Sequence, residues 1–310
     1  MSATLQQLPS LNAEPSEAAA PRASRLRTFG RELRRRPLTS GAVAVLAAIL
    51  VAVILNPVLP LPDPSAQALL DRLQPPLSRG ADGTLHLAGT DQLGRDVFSR
   101  ALQGGRTSLG IAVVTVLIAG VSGSVLGLFA GYHLGLVDQI VMRAADLLLA
   151  FPPLLLAVFL LYLLGPSLTN LVALLALWGW IGYARIARAQ TLSLRQQAFV
   201  EGAVALGCSH KRVLFRHILP HILPSLLVAA VFEFAGVMLA EAGLSFLGLG
   251  VQPPDASWGL MLAQGQDFVT SGAWWLIAVP GLAIFLVTFP TNLATRWAQE
   301  LLGIEAKENR

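Results

Sequence analysis

The sequence predicts an all-α integral membrane protein with six transmembrane helices. Three observations predict it. Of 310 residues, 54% are hydrophobic and 13% are Asp, Glu, Lys or Arg, with a mean hydropathy of +0.63; soluble domains carry roughly 25% charged residues. Long charge-free stretches recur along the chain. Arginines gather at a few points between those stretches. A disordered chain is excluded by the hydrophobicity, and a disulfide scaffold by Cys208 being the only cysteine.

A helix needs about 20 apolar residues to cross the hydrocarbon core. Residues 37–62 carry no charge and contain the first span, over 38–61. A signal peptide is the competing reading, but the run is long and lacks a small-residue cleavage site. The uncharged run 107–137 places a second span near 108–132. Residues 147–184 are uncharged but too long for one helix, and Gly165-Pro166 divides them into spans at 147–164 and 168–187. A fifth span covers about 221–242 and a sixth lies within 268–295. The division is therefore a tail (1–37), a first span, an external segment (62–107), a core of five spans (108–295) with a loop at 188–220, and a C-terminal tail (296–310).

Arg22, Arg25, Arg27, Arg31, Arg34, Arg35 and Arg36 precede the first span. Placed there, they are a topology signal and not a nucleic-acid stripe. They hold the N-terminus in the cytoplasm, and six spans return the C-terminus to the same side. The loop after the fourth span holds Arg188, Arg195, Lys211, Arg212 and Arg216 against Glu201 alone, whereas 251–273 has Asp255 and Asp267 without a basic residue. Both agree with the positive-inside rule.

Between the fourth and fifth spans, Phe199, Ala203 and Leu206 fall at helical spacing. Gly207 is placed to end that helix, Ser209 to cap a second short one, and Pro220 and Pro224 to open the fifth span. Two short helices joined at a glycine suit a cleft on a partner; they equally suit anionic lipid, through Lys211, Arg212 and Arg216. In the second span Gly123, Gly127 and Gly131 lie on one face and permit close helix approach, to another subunit or within the chain. Residues 94–108 read as a short amphipathic elbow helix, with Leu93, Val97 and Ala101 at helical spacing, either a structural elbow orienting span two or a surface meeting an external protein. Asp146 reads as a helix cap or a partner for Arg143.

Glu233 and Glu241 lie in the fifth span, eight residues apart. An intramembrane carboxylate is costly and suggests function; the pair reads as pathway-lining, or as buried hydrogen-bonding groups. Lys211 and Lys307 are the two lysines, so no GxxxxGK[ST] phosphate loop exists. No HExxH, GxSxG or metal-ligand spacing is present. Energy for active transport must then come from an ion gradient or from another polypeptide.

Three segments carry a family resemblance. Glu201-Gly202-Ala203, three residues, Gly207, and then Leu219-Pro220 resemble the EAA loop of ABC-importer permeases, with Gly202 in place of the second alanine and His217 at the isoleucine position. Gly89-Thr90-Asp91-Gln92-Leu93-Gly94-Arg95-Asp96 and Ala240-Glu241-Ala242-Gly243-Leu244-Ser245-Phe246-Leu247-Gly248-Leu249-Gly250 resemble signatures of the dipeptide, oligopeptide and nickel permeases. The likeness runs from about residue 30 to 295. It implies a type I importer permease fold with cytoplasmic coupling helices. It also implies a second related permease subunit, two ATPase subunits that bind ATP and magnesium, and an extracytoplasmic solute-binding protein. No cofactor or metal is implied in this chain itself. By the same resemblance Phe199, Glu201, Gly202, Ala203, Leu206, Gly207, Leu219 and Pro220 form the ATPase coupling contact, in an inner membrane with both termini cytoplasmic. The cargo would be di- or oligopeptide, or nickel or a metal chelate. An ATP-independent secondary transporter or channel is the alternative class; it calls for ion-coupling carboxylates in several spans and an internal repeat.

Overall fold

The computed structural model describes residues 37–301. The arginine-rich tail and the last nine residues, on which the expected placement of the termini rests, lie outside them. Residues 42–310 make one compact unit and Met1–Gly41 another. Of the latter only the start of the first helix is described, and the packing below concerns the former.

The helices are α1 Pro37–Leu55, α2 Val97–His133, α3 Gly135–Leu149, α4 Pro153–Leu164, α5 Leu168–Leu194, α6 Ala198–Ala205, α7 His210–Arg212, α8 Leu219–Phe246, α9 Trp258–Gly265 and α10 Trp275–Leu301. A two-residue hairpin pairs β1 (Ser78–Arg79) with β2 (Leu85–His86), antiparallel. Five helical stretches are long and apolar enough to cross a membrane, and α3 with α4 makes a sixth if the bent pair counts as one span.

That third span departs from the expected straight helix at 147–164. α3 begins at Gly135, and the pair bends by 86° at residues 150–152. Pro152 and Pro153 lack the N–H groups that would continue the ladder, and proline pushes the residue before it out of the helical region.

The elbow helix is also corrected. Val97–His133 is one helix of 37 residues, about 55 Å long at 1.5 Å per residue. Gly104 and Gly105 look like a break in the sequence but serve close packing. A Cβ on Gly104 would lie 3.2 Å from Ser257 C, and one on Gly105 2.8 Å from the Trp258 ring.

The glycine seam in α2 packs inside the chain. Methyl groups on Gly123, Gly127 and Gly131 would strike the carbonyl oxygens of Trp180, Ala184 and Arg188 in turn. Both series step by four, so one turn of α2 faces one turn of α5 along the whole contact. α1 instead lies at the edge, presenting a stripe of Leu46, Ile49, Leu50 and Val53 to the core.

The segment before α2 is ordered by its own polar side chains. Asp91 Oδ1 accepts from Leu93 N (2.8 Å) and Arg95 N (3.0 Å), and its Oδ2 pairs with Arg95 Nε at 2.6 Å. Gly89 and Gly94 have φ of +76° and +73°, conformations glycine adopts without strain. Asp96 then caps α2, accepting from Ser99 N at 2.7 Å, and holds His86 Nδ1 at 2.9 Å. The Thr84 hydroxyl and N–H donate to Asp82 and keep its carboxyl below the usual carboxylate range.

Candidate functional site

Two regions carry the candidate residues: the loop between α5 and α8, at one end of α2, and the middle of α8.

The loop is built from an apolar staple. Val200 and Ala203 are buried against Val213, Leu214, Ile218 and Ile222. Burying each larger aliphatic contributes roughly 1.5–3 kcal/mol. The half-exposed ion pairs at this end, Arg188 with Asp138 and Arg185 with Asp146 (2.8 Å), contribute about 0–1 kcal/mol each. Packing therefore decides where α6 sits. Asp146 has Arg185 as its partner, not the expected Arg143. Arg195 Nη1 donates to Tyr132 O (3.1 Å), and the Tyr132 hydroxyl and His210 Nδ1 share a hydrogen bond at 2.8 Å, which ties both sides of the loop to α2.

The inward face of α6 is not the one read from the sequence. Phe199 is half-exposed and stacks on His221 at 5.0 Å, and Leu206 is 88% exposed. Of the three residues at helical spacing, Ala203 alone faces in, with Val200 beside it. Glu201 and Gly202 are exposed as well. The outward face thus combines apolar Phe199 and Leu206 with acidic Glu201.

α6 ends in a left-handed turn. Gly207 has φ +82°, its N–H donates to Val204 O (2.9 Å), and Cys208 N donates to Ala203 O (3.1 Å). This paired arrangement satisfies carbonyls that the helix end would leave open. A Cβ on Gly207 would meet nothing within 4 Å, so glycine is there for backbone conformation and not for room.

The second half of the loop is not a separate short helix. α7 passes through a wider π-helical turn, Val213–Ile218, directly into α8. Pro220 accounts for the wide turn, since it cannot donate to Arg216 O four residues back, and a π turn lets the ladder resume. Ser209 occupies the cap position, but its hydroxyl makes no capping bond. Leu219 is partly buried and Pro220 exposed at the start of α8.

Glu233 and Glu241 have different surroundings. Glu241 is 0% exposed. Its Oε2 accepts from Ser108 Oγ (3.0 Å) and its Oε1 from Ser245 Oγ (2.7 Å). Each serine accepts in turn from a backbone N–H: Trp258 N to Ser108 at 3.2 Å, and Val251 N to Ser245 at 3.2 Å. The carboxylate thereby joins α2, α8, the segment after α8 and the start of α9, where Trp258 Nε1 donates to Ala101 O at 2.7 Å. Of the two readings of Glu241, the geometry matches the buried hydrogen-bonding group: both its oxygens are occupied inside the protein.

Glu233 is partly buried and borders two pockets between α5 and α8. One, of about 220 Å³, extends along Trp178, Gly236 and Leu244 toward α4. The other, of about 370 Å³, extends along Tyr183, Gln190 and Ser225 toward the loop end. Gly179 gives the carboxylate its space, because a Cβ there would lie 3.3 Å from Glu233 Oε1. Trp178 Nε1 and the Tyr183 hydroxyl are buried without a hydrogen-bond partner among the described residues. Sequence reasoning passed over both; polar aromatics within an otherwise aliphatic span were the available signal. Val200 was not singled out either, because it is as apolar as Phe199 and its burial depends on Ile218 and Ile222.

Residues 123–303 match the family described as "Binding-protein-dependent transport system inner membrane component". The chain is 39% identical over 280 residues to a putative peptide transport system permease protein of Brucella suis, covering 90% of this chain and 92% of that one. It is 39% identical over 274 residues to the probable D,D-dipeptide transport system permease protein DdpC of Escherichia coli, covering 88% and 90%. It is also 40% identical over 231 residues to the nickel transport system permease protein NikC of the same organism, covering 74% and 81%.

Proposed function

Because the chain belongs to the binding-protein-dependent transport system inner membrane component family, and is thus a multi-pass permease subunit of an ABC importer and not an enzyme, we propose that it carries di- or oligopeptides. The proposed machine pairs it with a second related permease subunit, two ATPase subunits that bind ATP and magnesium, and an extracytoplasmic binding protein. In this reading both termini and the loop face the cytoplasm, and segment 56–96 faces outward, in accord with the arginine distribution.

The observation that supports it most is the outward face of α6. An eight-residue helix is pinned by Val200 and Ala203 and presents Phe199, Glu201, Gly202 and Leu206 to solvent. A helix held this firmly with an apolar outer face is suited to a groove on an ATPase. Gly207 shapes the turn behind it, and Leu219 and Pro220 continue into α8. ATP binding would shift the two-state equilibrium of the permease pair through that contact, with Glu233 bordering the route. Glu241 serves by fixing α8 against α2 and α9.

The peptide relatives above suggest the cargo; the nickel relative supports a second reading, nickel or a metal chelate through the same machinery. Reconstitution in liposomes tests both. With partner permease, ATPases and binding protein, ATP-dependent uptake of labelled dipeptide is expected, and uptake of labelled nickel in its place selects the second reading. Uptake of either by the lone chain without ATP would overturn the proposal in favour of a secondary transporter or channel.

A further inference from the structure

From the two pockets that meet at Glu233, we infer that this point of the route is selective for a positively charged organic group, a primary ammonium. The inference rests on the reading that Glu233 borders the pathway, and names what that border recognises.

Glu233 is the one charged residue among the described residues lining either pocket. Beside it the walls are aliphatic, with polar groups confined to Trp178, Tyr183, Gln190, Ser225 and Gln299. Among the described residues no lysine or arginine pairs with the carboxylate, and none donates a hydrogen bond to it. A carboxylate so placed in a membrane protein needs a cationic or proton-donating partner. Glu241, eight residues on, shows the contrasting solution, with hydroxyls of this same chain filling both oxygens.

The lining favours an organic cation over a bare metal ion. Among the described residues no group of three or more His, Cys, Asp or Glu is arranged to hold a metal. Aromatic rings are close instead: Trp178 in one pocket, Tyr183 and Phe232 in the other. Aromatic faces attract ammonium groups through the ring quadrupole. The buried and unpartnered Tyr183 hydroxyl, on a residue 3% exposed, can turn to accept from an ammonium N–H. A peptide's amino terminus fits this set of groups. Its carboxylate does not, because the described residues lining either pocket include no cation.

Reporter thiols on either side of Glu233 test this. The native thiol is removed with Cys208→Ser, and single cysteines are introduced as Gly236→Cys in one pocket or Gly182→Cys in the other. A Cβ at either glycine meets nothing within 4 Å. The assembled importer is treated with ethylammonium or ethylsulfonate methanethiosulfonate, and modification is read on this chain by mass. Relative to a free thiol in solution, the cationic reagent should react at least about tenfold faster than the anionic one at both positions. Glu233→Gln should bring the ratio to within about twofold of the free thiol. Equal rates with Glu233 present, or a preference that survives Glu233→Gln, would overturn the inference while leaving Glu233 on the route. If neither thiol reacts with either reagent in an importer that takes up dipeptide, Glu233 does not border the pathway, and the inference falls with that reading.

Discussion

Gly207 offers a perturbation whose magnitude can be worked from one torsion angle. Its φ of +82° is a conformation that costs an L-residue about 1–2 kcal/mol, and an added Cβ meets nothing within 4 Å. The whole expense of Gly207→Ala is therefore backbone. At RT of about 0.59 kcal/mol this lowers the population of the formed turn by a factor of about 5–30. Gly207→Leu should cost about the same as Gly207→Ala, because the space is open, and Gly207→Asn should cost less, since asparagine tolerates the left-handed region. Gly202 provides the opposite sign. It lies exposed within α6, where a Cβ also meets nothing, and Gly202→Ala should stabilise the helix by about 1 kcal/mol. The assay has two arms. Hydrogen exchange at Leu206 to Cys208 in the isolated subunit reads the turn itself. Substrate imported per ATP hydrolysed in the reconstituted importer reads coupling. The expected order is Gly202→Ala at or above wild type, then Gly207→Asn, with Gly207→Ala and Gly207→Leu lowest and equal. A loss that grows from alanine to leucine would place a bulky neighbour against Gly207 and refute the backbone argument, as would unchanged exchange in Gly207→Ala.

Three further outcomes are expected. Glu241→Leu strands the Ser108 and Ser245 hydroxyls in a buried site and should lower stability by about 2–4 kcal/mol, with Glu241→Gln losing less; thermal unfolding in detergent measures both. Gly127→Ala drives a methyl into Ala184 and Ala187 of α5 and should cost about 3 kcal/mol or more, whereas Gly120→Ala places its Cβ 3.6 Å from the Tyr183 ring and should be tolerated; yield of folded protein in membranes distinguishes them. Asp96→Ala removes the cap of α2 and strands buried His86, a loss of about 2–4 kcal/mol, while Asp96→Asn keeps the cap and should lose roughly half; the unfolding midpoint reports the difference.

Span number was legible in the sequence because desolvation in lipid leaves charge nowhere to go, so charge-free runs mark helices without knowledge of tertiary contacts. The ends of those helices were less legible. Residues 97–107 look amphipathic and polar enough to lie flat, yet they continue α2 straight, because Arg100 and Ser108 find partners on Gln264 and Glu241, far off in sequence. The turn at Gly207 was readable from glycine alone, since its cause is local. The inward face of α6 was not, because Val200 and Phe199 are equally apolar and only the position of Ile218 and Ile222 chooses between them. The two glutamates looked alike for the same reason: what separates them is Ser108, 133 residues away from Glu241.

The unbroken course from α7 through the π turn into α8 has a mechanical consequence. Between His210 and Glu233 the chain forms one rod of about 35 Å at 1.5 Å per residue, with no loop along it to absorb load. In the proposed importer a push at its loop end would reach Glu233 as rotation of a lever, pivoting near Glu241, which two serines hold eight residues further along. The π turn, Val213–Ile218, would be the compliant coupling in that shaft, close to its loop end. A change in that turn's stiffness would alter how far the lever travels.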